Sequence, residues 1–414
     1  MIRAPFLFRP ALHYLPMKIT RRLFAFSLLF APLFFAISSG SADKPVANSK
    51  YLVFVGTYTT KTNSKGIYSF HFDTATGQLS MIGVAAETPD PSWVAVHPSA
   101  KYLYAANEAG KASTVSAFAI DAKSGKLTLL NQLPSLGEDP CYLSFDRTGK
   151  YVLVANYSSG TIAVFPILAD GKLGEHTATV KDQGATGPDK ERQERPHAHW
   201  IEASLDDRSV YVADLGLDHV LRYGFDATNG TLSTAPVQGN WSHSVLDRSA
   251  KLARGTGPRH AAFSRNGVHL YVLGELQSTV TAFHTIGPDV FVPTAFQRIS
   301  ALPKGFSGRN DAAEIALHPS GKFLYTSNRG NDTIAVFNVQ QRGGRLSLAA
   351  NIPTGGKEPR HFAIDPSGKY LLAENQFSNN IVVFKIDAAT GGLIPTGQVV
   401  EVPSPVDIAF LPED

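Results

Sequence analysis

The chain is poor in cysteine, in charge and in long apolar runs. A single cysteine, Cys141, in 414 residues excludes a disulfide framework and a zinc site built on thiolates. Charged residues make up only 18% of the sequence, so it does not read as a charged disordered tail. The formal charge is +3, which leaves no electrostatic footprint for nucleic acid. No Gly-x-Ser-x-Gly elbow occurs, so the serine nucleophile of that arrangement is absent. No long helical period is visible either. Against these absences, 43% of residues are hydrophobic and 10% aromatic, mostly Phe and Tyr, a composition that favours strands.

Residues 1–42 stand apart. They carry Arg3, Arg9, Lys18, Arg21 and Arg22 and no acid, and the rest of the chain then holds 33 basic against 35 acidic residues. A basic start, the apolar run Leu23–Ile37 and the small residues Gly40-Ser41-Ala42 describe a secretory signal peptide. Its start is Met1 or Met17. Thr20-Arg21-Arg22-Leu23-Phe24 resembles a twin-arginine signal, with general secretion as the other route. The apolar run is shorter than the roughly 20 residues of a span, and no later stretch could cross a bilayer. The expected organisation is therefore a signal over 1–42, a linker over 43–49 and one domain over 50–414. The expected mature protein is soluble, not membrane-inserted, and periplasmic or secreted.

One phrase recurs along that domain: a Gly-Lys turn, an aromatic-rich strand ending in Asn, a short polar turn and a second strand. The best copies are Lys150–Phe165, Lys322–Phe337 and Lys369–Phe384. The Asn position falls at 56, 107, 156, 214, 274, 328 and 375, with spacings of 51, 49, 58, 60, 54 and 47. Each period suits four short strands, one propeller blade. Asp226–Leu232 and Asp387–Leu393 read as turns into the outermost strand. Six copies are preceded by an inner strand such as Pro140–Phe145, whereas the first, at Tyr51, is not. The closing "SPVDIAFLPED" reads as that missing strand, so the C-terminus completes the blade that the N-terminus begins and hides its open edge. The expectation is an all-β, seven-bladed β-propeller with four-stranded blades; six or eight blades are the alternatives. A closed ring needs no partner to fold, and a monomer is expected.

Repeat register also places chemistry. The start of each inner strand and the end of each Asn-bearing strand meet on one face of the ring. Nine residues before each Gly-Lys lysine position stand Ser92, Cys141, His199, Arg259, Ala313 and Arg360. One residue after each Asn position stand Thr57, Glu108, Tyr157, Leu215, Glu275, Arg329 and Gln376. A purely structural repeat would keep small or apolar residues there. Here the copies diverge into His, Arg and Glu at one channel mouth.

The segments "RPHAHWIEASLDDRSVYVADLGLDHV" (195–220), "GTGPRHAAFS" (255–264), "GELQSTV" (274–280) and "EPRHFAIDPSGKYLLAENQFSNNIVVF" (358–384) resemble the seven-bladed lactonase family. That family includes propeller-type 6-phosphogluconolactonases and a fungal carboxymuconate-lactonizing enzyme. The likeness covers residues 50–414, and Gly-Pro-Arg-His followed by Glu fifteen residues later is its most specific part. It implies a site His at His199 with His197 beside it, an Arg at Arg259, a Glu at Glu275 and a further Arg at Arg329. Arg360 and Gln376 match residues near the same mouth.

Lactone hydrolysis needs an activated water and a seat for the charge that grows on the carbonyl oxygen. The expected catalytic set is His199, Glu275 and Arg259, with Glu275 holding the imidazole or serving as base itself. His197, Arg329, Arg360, His260 and Gln376 are the expected substrate contacts. Each has a structural alternative: a strand-capping His, or an inter-blade ion pair for Arg259 and Glu275. Strand alternation turns His260 away from Arg259. Glu108, Tyr157 and Asp214 read as blade-to-blade partners, Trp93 and Trp200 as packing, and Cys141 as an inert core residue. The charged loop 184–197 reads as a solvated connection rather than a lid. His197 and His199 with nearby carboxylates are conceivable metal ligands, but no metal and no cofactor is expected. The expected partner is a small sugar lactone, with phosphorylated lactones disfavoured for an exported protein. Two other functions fit the same residues: muconate-type lactone formation, and a non-catalytic propeller that binds a ligand or a protein.

Overall fold

A computed structural model of the chain describes residues 50–234, 249–285 and 293–413; the expected signal and linker lie outside the described residues. Among the described residues no helix is long and apolar enough to cross a membrane. Seven antiparallel sheets follow one another along the chain. Their second strands are the Asn-bearing segments, such as Tyr151–Asn156 and Tyr370–Asn375. These strands are buried on both faces, because each blade is covered on either side by a neighbour: Val152, Leu153, Val154 and Ala155 are all fully buried. Near-continuous apolar runs, rather than strict alternation, are the sequence form of that environment.

The ring closes as expected. Pro405–Pro412 pairs with Lys50–Thr57, setting Pro412 opposite Tyr51 and Pro405 opposite Thr57. Apolar clusters then join neighbouring blades, including the seventh to the first, where Tyr370, Leu372 and Val383 pack on Tyr51, Phe70 and Phe72. The fourth blade departs from four continuous strands. Its outer position is filled by two short pieces, Thr231–Ser233 against Gly224–Asp226 and Ala250–Lys251 against His219–Val220.

Polar stitches explain two constants of the repeat. The Asn side chain at the end of the second strand donates to the connection arriving from the previous blade: Asn107 to Pro89, Asn156 to Ser135, Asn328 to Ala301 and Asn375 to Thr354. Strand tyrosines reach forward instead. The hydroxyls of Tyr104, Tyr271 and Tyr325 donate to the carbonyls of Gly171, Gly344 and Gly391 in the following blade.

A third constant is invisible in the alternation of residues. All seven inner strands shift register at the same place, the channel end. Pairing skips Ser92, Cys141, His199, Arg259 and Arg360 in five blades. It skips Ala313 and Glu314 in the sixth, and Val406 in the first. A bulge leaves the extra residue unpaired and re-aims side chains on both sides of it. The polar residues aligned from sequence are therefore the bulged ones.

Deleting residues 405–414 removes an inner strand and uncovers the edge of Lys50–Thr57. The expected outcome is loss of the cooperative thermal unfolding transition and conversion to aggregate. A truncated protein that melts cooperatively within a few degrees of the full chain would contradict closure as the source of stability.

Candidate active site

Two tiers of side chains fill the channel, because each bulge presents consecutive residues to it. The outer tier holds the bulged residues and the ends of the second strands. Glu275 is its centre, 2% exposed. Its Oε2 lies 3.1 Å from Arg259 Nε and 3.2 Å from Arg329 Nη2, and its Oε1 accepts a short hydrogen bond from Arg192. Burial pushes the Glu275 carboxyl up, but Arg329, Arg259 and Arg192 together outweigh it and hold the group far below the usual carboxylate range. Burial, with Arg329 and Arg360 nearby, pushes Arg259 down to about 10 against the pull of Glu275 and Glu314. The buried Arg259 Nε and Arg329 Nη2 sit close to the carboxylate without hydrogen-bond alignment. They attract it by charge while keeping donors uncommitted.

His199 stands beside this cluster, 4% exposed. Its Nδ1 is 3.6 Å from Cys141 Sγ, and its ring meets Tyr157 edge-on at 5.4 Å and His260 at 5.1 Å. Burial first, then the Arg259 guanidinium, hold its pKa well below 6.5 even though Glu275 pulls the other way. The imidazole is neutral at neutral pH. Burial raises the Cys141 thiol, which keeps it protonated and inert. Across the mouth, Arg360 donates to the Tyr58 hydroxyl at 3.0 Å and lies over its ring. Tyr58 in turn donates a short hydrogen bond to Glu108. Gln376 lines the same rim with Tyr58 and Glu108.

The inner tier packs across the channel beneath. Trp93 and Tyr142 lie 4.0 Å apart, and each meets His260 edge-on. His260 Nδ1 is 2.7 Å from Glu314. His361 contacts Glu374 at 2.8 Å and Asp407 at 3.3 Å. Burial raises Glu314 and Glu374 and pushes Asp407 up to about 8. Between the tiers remains a cavity of about 10 Å³, close to the space one water requires. Among the described residues no group of three or more His, Cys, Asp and Glu is arranged to hold a metal ion.

The structure brings His199, Arg259, Glu275, Arg329 and Arg360 to one mouth, on inner and second strands, and four expectations change. His260 does not turn away from Arg259. The bulge at Arg259 breaks alternation, so both face the channel, and His260 lies one tier down, within 3.4 Å of Arg259 Nη1. Glu275 is a poor candidate for the base, since three guanidiniums hold it ionised and lower its affinity for a proton. His197 stands beside the cluster rather than in it. Its ring stacks on Tyr157 at 4.5 Å, and its nitrogens face the Tyr157 carbonyl and Glu194.

The fourth change concerns the loop 184–197, which is docked rather than solvated. Gln193, 1% exposed, donates to Leu215 O and Asp218, and Asp189 caps the turn by accepting from the Glu191 and Arg192 amides. A side chain at Gly216 would put its Cβ 1.8 Å from the Arg195 carbonyl, so glycine is what lets the loop lie on the rim. The loop delivers Arg192, whose contacts are Glu275, the Tyr157 hydroxyl and, at 3.8 Å, Asp311. Residue-type reasoning missed Arg192 and Tyr58. The turn signature Gly187-Pro188-Asp189 was the available signal for the first, and the longer turn 58–65 of the first copy for the second.

The family model described as lactonase, seven-bladed β-propeller, matches residues 52–410. The 6-phosphogluconolactonase of Bacillus subtilis is 37% identical over 88% of this chain and 99% of its own. The 6-phosphogluconolactonase of Formosa agariphila is 33% identical over 75% of this chain and 85% of its own. Among solved structures, the periplasmic gluconolactonase of Pseudomonas aeruginosa superposes with a TM-score of 0.80 at 32% identity, covering 88% of this chain and 99% of that one.

Replacing Glu275 by Gln keeps the shape and removes the charge that holds three guanidiniums together. Breaking a buried ion pair on one side costs about 3–5 kcal/mol. The expected readout is a clearly lowered urea midpoint at pH 7. A midpoint equal to that of the parent would show that the carboxylate does not organise the cluster.

Proposed function

Since the chain belongs to the seven-bladed β-propeller lactonase family, we propose that it hydrolyses a sugar δ-lactone at the outer tier. The observation that carries this reading is a neutral, buried His199 next to guanidiniums held in place by Glu275. His199 accepts a proton from water as the oxygen attacks the lactone carbonyl. The negative charge that develops on the carbonyl oxygen is met by Arg259 and Arg329, which are fixed before the substrate arrives. Collapse of the tetrahedral adduct breaks the bond to the ring oxygen, and the imidazolium returns its proton there. The new carboxylic acid ionises, so one proton is released per turnover.

The roles follow from surroundings. Glu275 positions arginines and favours the transient imidazolium. Arg192 caps the site from the loop. His197 orients Tyr157, and through Glu194 it ties down the same loop. Arg360 presents its charge and the Tyr58 hydroxyl to the sugar side of the lactone. Asp311 and Glu358 stand 3.8 Å from Arg192 and Arg329 on the outer side of the cluster, while the Arg259 and Arg329 donors beside Glu275 remain suited to a developing oxyanion or a substrate anion. Sugar δ-lactones open readily by themselves, so water positioning and charge neutralisation suffice.

The mature protein should speed ring opening of glucono-δ-lactone or its 6-phosphate above the spontaneous rate in a pH-stat. No acceleration of either ends the proposal. His199→Gln should lower kcat about 10²–10⁴-fold, the usual weight of a general base, with the unfolding midpoint preserved.

The pH profile is a second check. A depressed pKa keeps His199 in its base form as pH falls, so kcat should stay level from about pH 8 to about pH 6.5 and decline only below that. An acid limb centred at or above pH 6.5 would assign the base elsewhere.

A further inference from the structure

Beside the mouth lies a groove of about 1720 Å³ over the first, second and seventh blades, well beyond the roughly 300–1,000 Å³ of an ordinary small-ligand pocket. Tyr58 and Glu108 line both this groove and the small channel cavity, so the hydrogen-bonded pair stands at the border of the two. The groove also gathers Phe377, Met81 and Val399, which are 67%, 47% and 57% exposed. These are three of the seven large apolar side chains left exposed among the described residues. Surface apolar side chains are normally scattered; grouped along a polar cleft they mark a binding site. The side-chain amides of Gln376 and Asn63 line the cleft and make no hydrogen bond among the described residues.

The cleft is also pre-built. Its wall is the long turn Tyr58–Lys65 of the first blade, which replaces the four-residue turn 157–160 of the third. Asp90, 4% exposed, accepts hydrogen bonds from the Thr59 and Thr60 amides at 2.6 and 2.8 Å, and Thr62 bonds back to the Tyr58 carbonyl at 2.6 Å. A fixed wall lowers the ordering cost of binding. Asp90, Glu108, Asp139 and Glu401 face it against a single Lys61, which makes it a poor seat for phosphate and a suitable one for neutral hydroxyls.

We propose that this groove is a subsite for a further sugar residue, so that the protein takes the δ-lactones of glycosylated aldonic acids. The inference rests on the lactonase reading and deepens it. In a δ-lactone the ring closes from C1 through O5, leaving O4 and O6 for a glycosidic bond on the side away from the carbonyl. With the carbonyl at Arg259 and Arg329, that substituent passes Tyr58 and Glu108 into the groove. The face of its ring rests on Phe377, and Gln376 and Asn63 meet its hydroxyls.

The test compares glucono-δ-lactone with cellobiono- and maltobiono-δ-lactone in the pH-stat, alongside calorimetric binding of the stable aldonates. The expected kcat/KM is at least about tenfold higher for one of the disaccharide lactones, the factor carried by about 1.4 kcal/mol. Phe377→Ala should bring the ratio close to one, and Phe377→Tyr should restore it. If glucono-δ-lactone is opened and neither disaccharide lactone gains, the subsite is overturned while the lactonase reading stands. If no lactone is opened, binding decides: a disaccharide aldonate held more tightly than gluconate, in a Phe377-dependent way, supports the subsite, and equal binding overturns it.

Discussion

A bulge at the channel end of every inner strand is the constraint on which the rest of the site depends. A regular strand would alternate its side chains between two blade faces and send few of them into the channel. The repeated register shift inserts one extra residue per blade and turns the next one inward as well. Seven copies of one local irregularity thus produce two stacked tiers. The outer one carries His199, Arg259 and Arg360. The inner one carries Trp93, Tyr142, His260, Glu314, His361 and Asp407. A bulge weakens its own ladder, and this is tolerated because pairing further along the strand and packing against neighbouring blades hold each sheet.

Charge is the second constraint. Four guanidiniums brought to one mouth repel each other, and burial makes that repulsion stronger than in water. Glu275 offsets it by standing between Arg259 and Arg329, with Arg192 arriving from the loop. These groups come from the fifth blade, the sixth blade and the segment ahead of the fourth. The cluster is therefore a product of ring closure and loop docking, and the same contacts that tie distant segments together aim the donors at the substrate.

Much of this was legible in the sequence because a repeat supplies its own alignment. Lining up seven copies identified the architecture, the closing strand and the columns that diverge into His, Arg and Glu. It failed where the local rule is broken by tertiary structure. Alternation placed His260 wrongly, since a bulge leaves no mark in residue pattern. Composition made 184–197 a solvated connection, whereas its docking depends on the missing side chain of Gly216 and on Gln193 reaching Leu215. Tyr58 lies in 58–65, the longest of the turns that follow the second strands, so the alignment that found its neighbours passed over it. Glu275 as base loses support for a different reason: residue type names a carboxylate, but only the surrounding arginines fix its affinity for a proton.

The inner tier completes the electrostatic argument. Three carboxyl groups directly beneath four arginines would cancel their field if they were all ionised. Burial pushes Glu374 well above its usual range and Asp407 up to about 8, and it raises Glu314 beside His260 and His361. Glu374 and Asp407 therefore favour the protonated form, which lightens the negative charge of the floor, while Glu275, between Arg259 and Arg329, keeps its charge. One fold thus holds like groups a few ångströms apart in opposite ionisation states. It does so by choosing which of them face guanidinium and which face imidazole, indole and other carboxyls. The guanidinium donors of Arg259 and Arg329 that have no hydrogen-bond partner are then left at the outer tier, where a carbonyl oxygen would gain its charge.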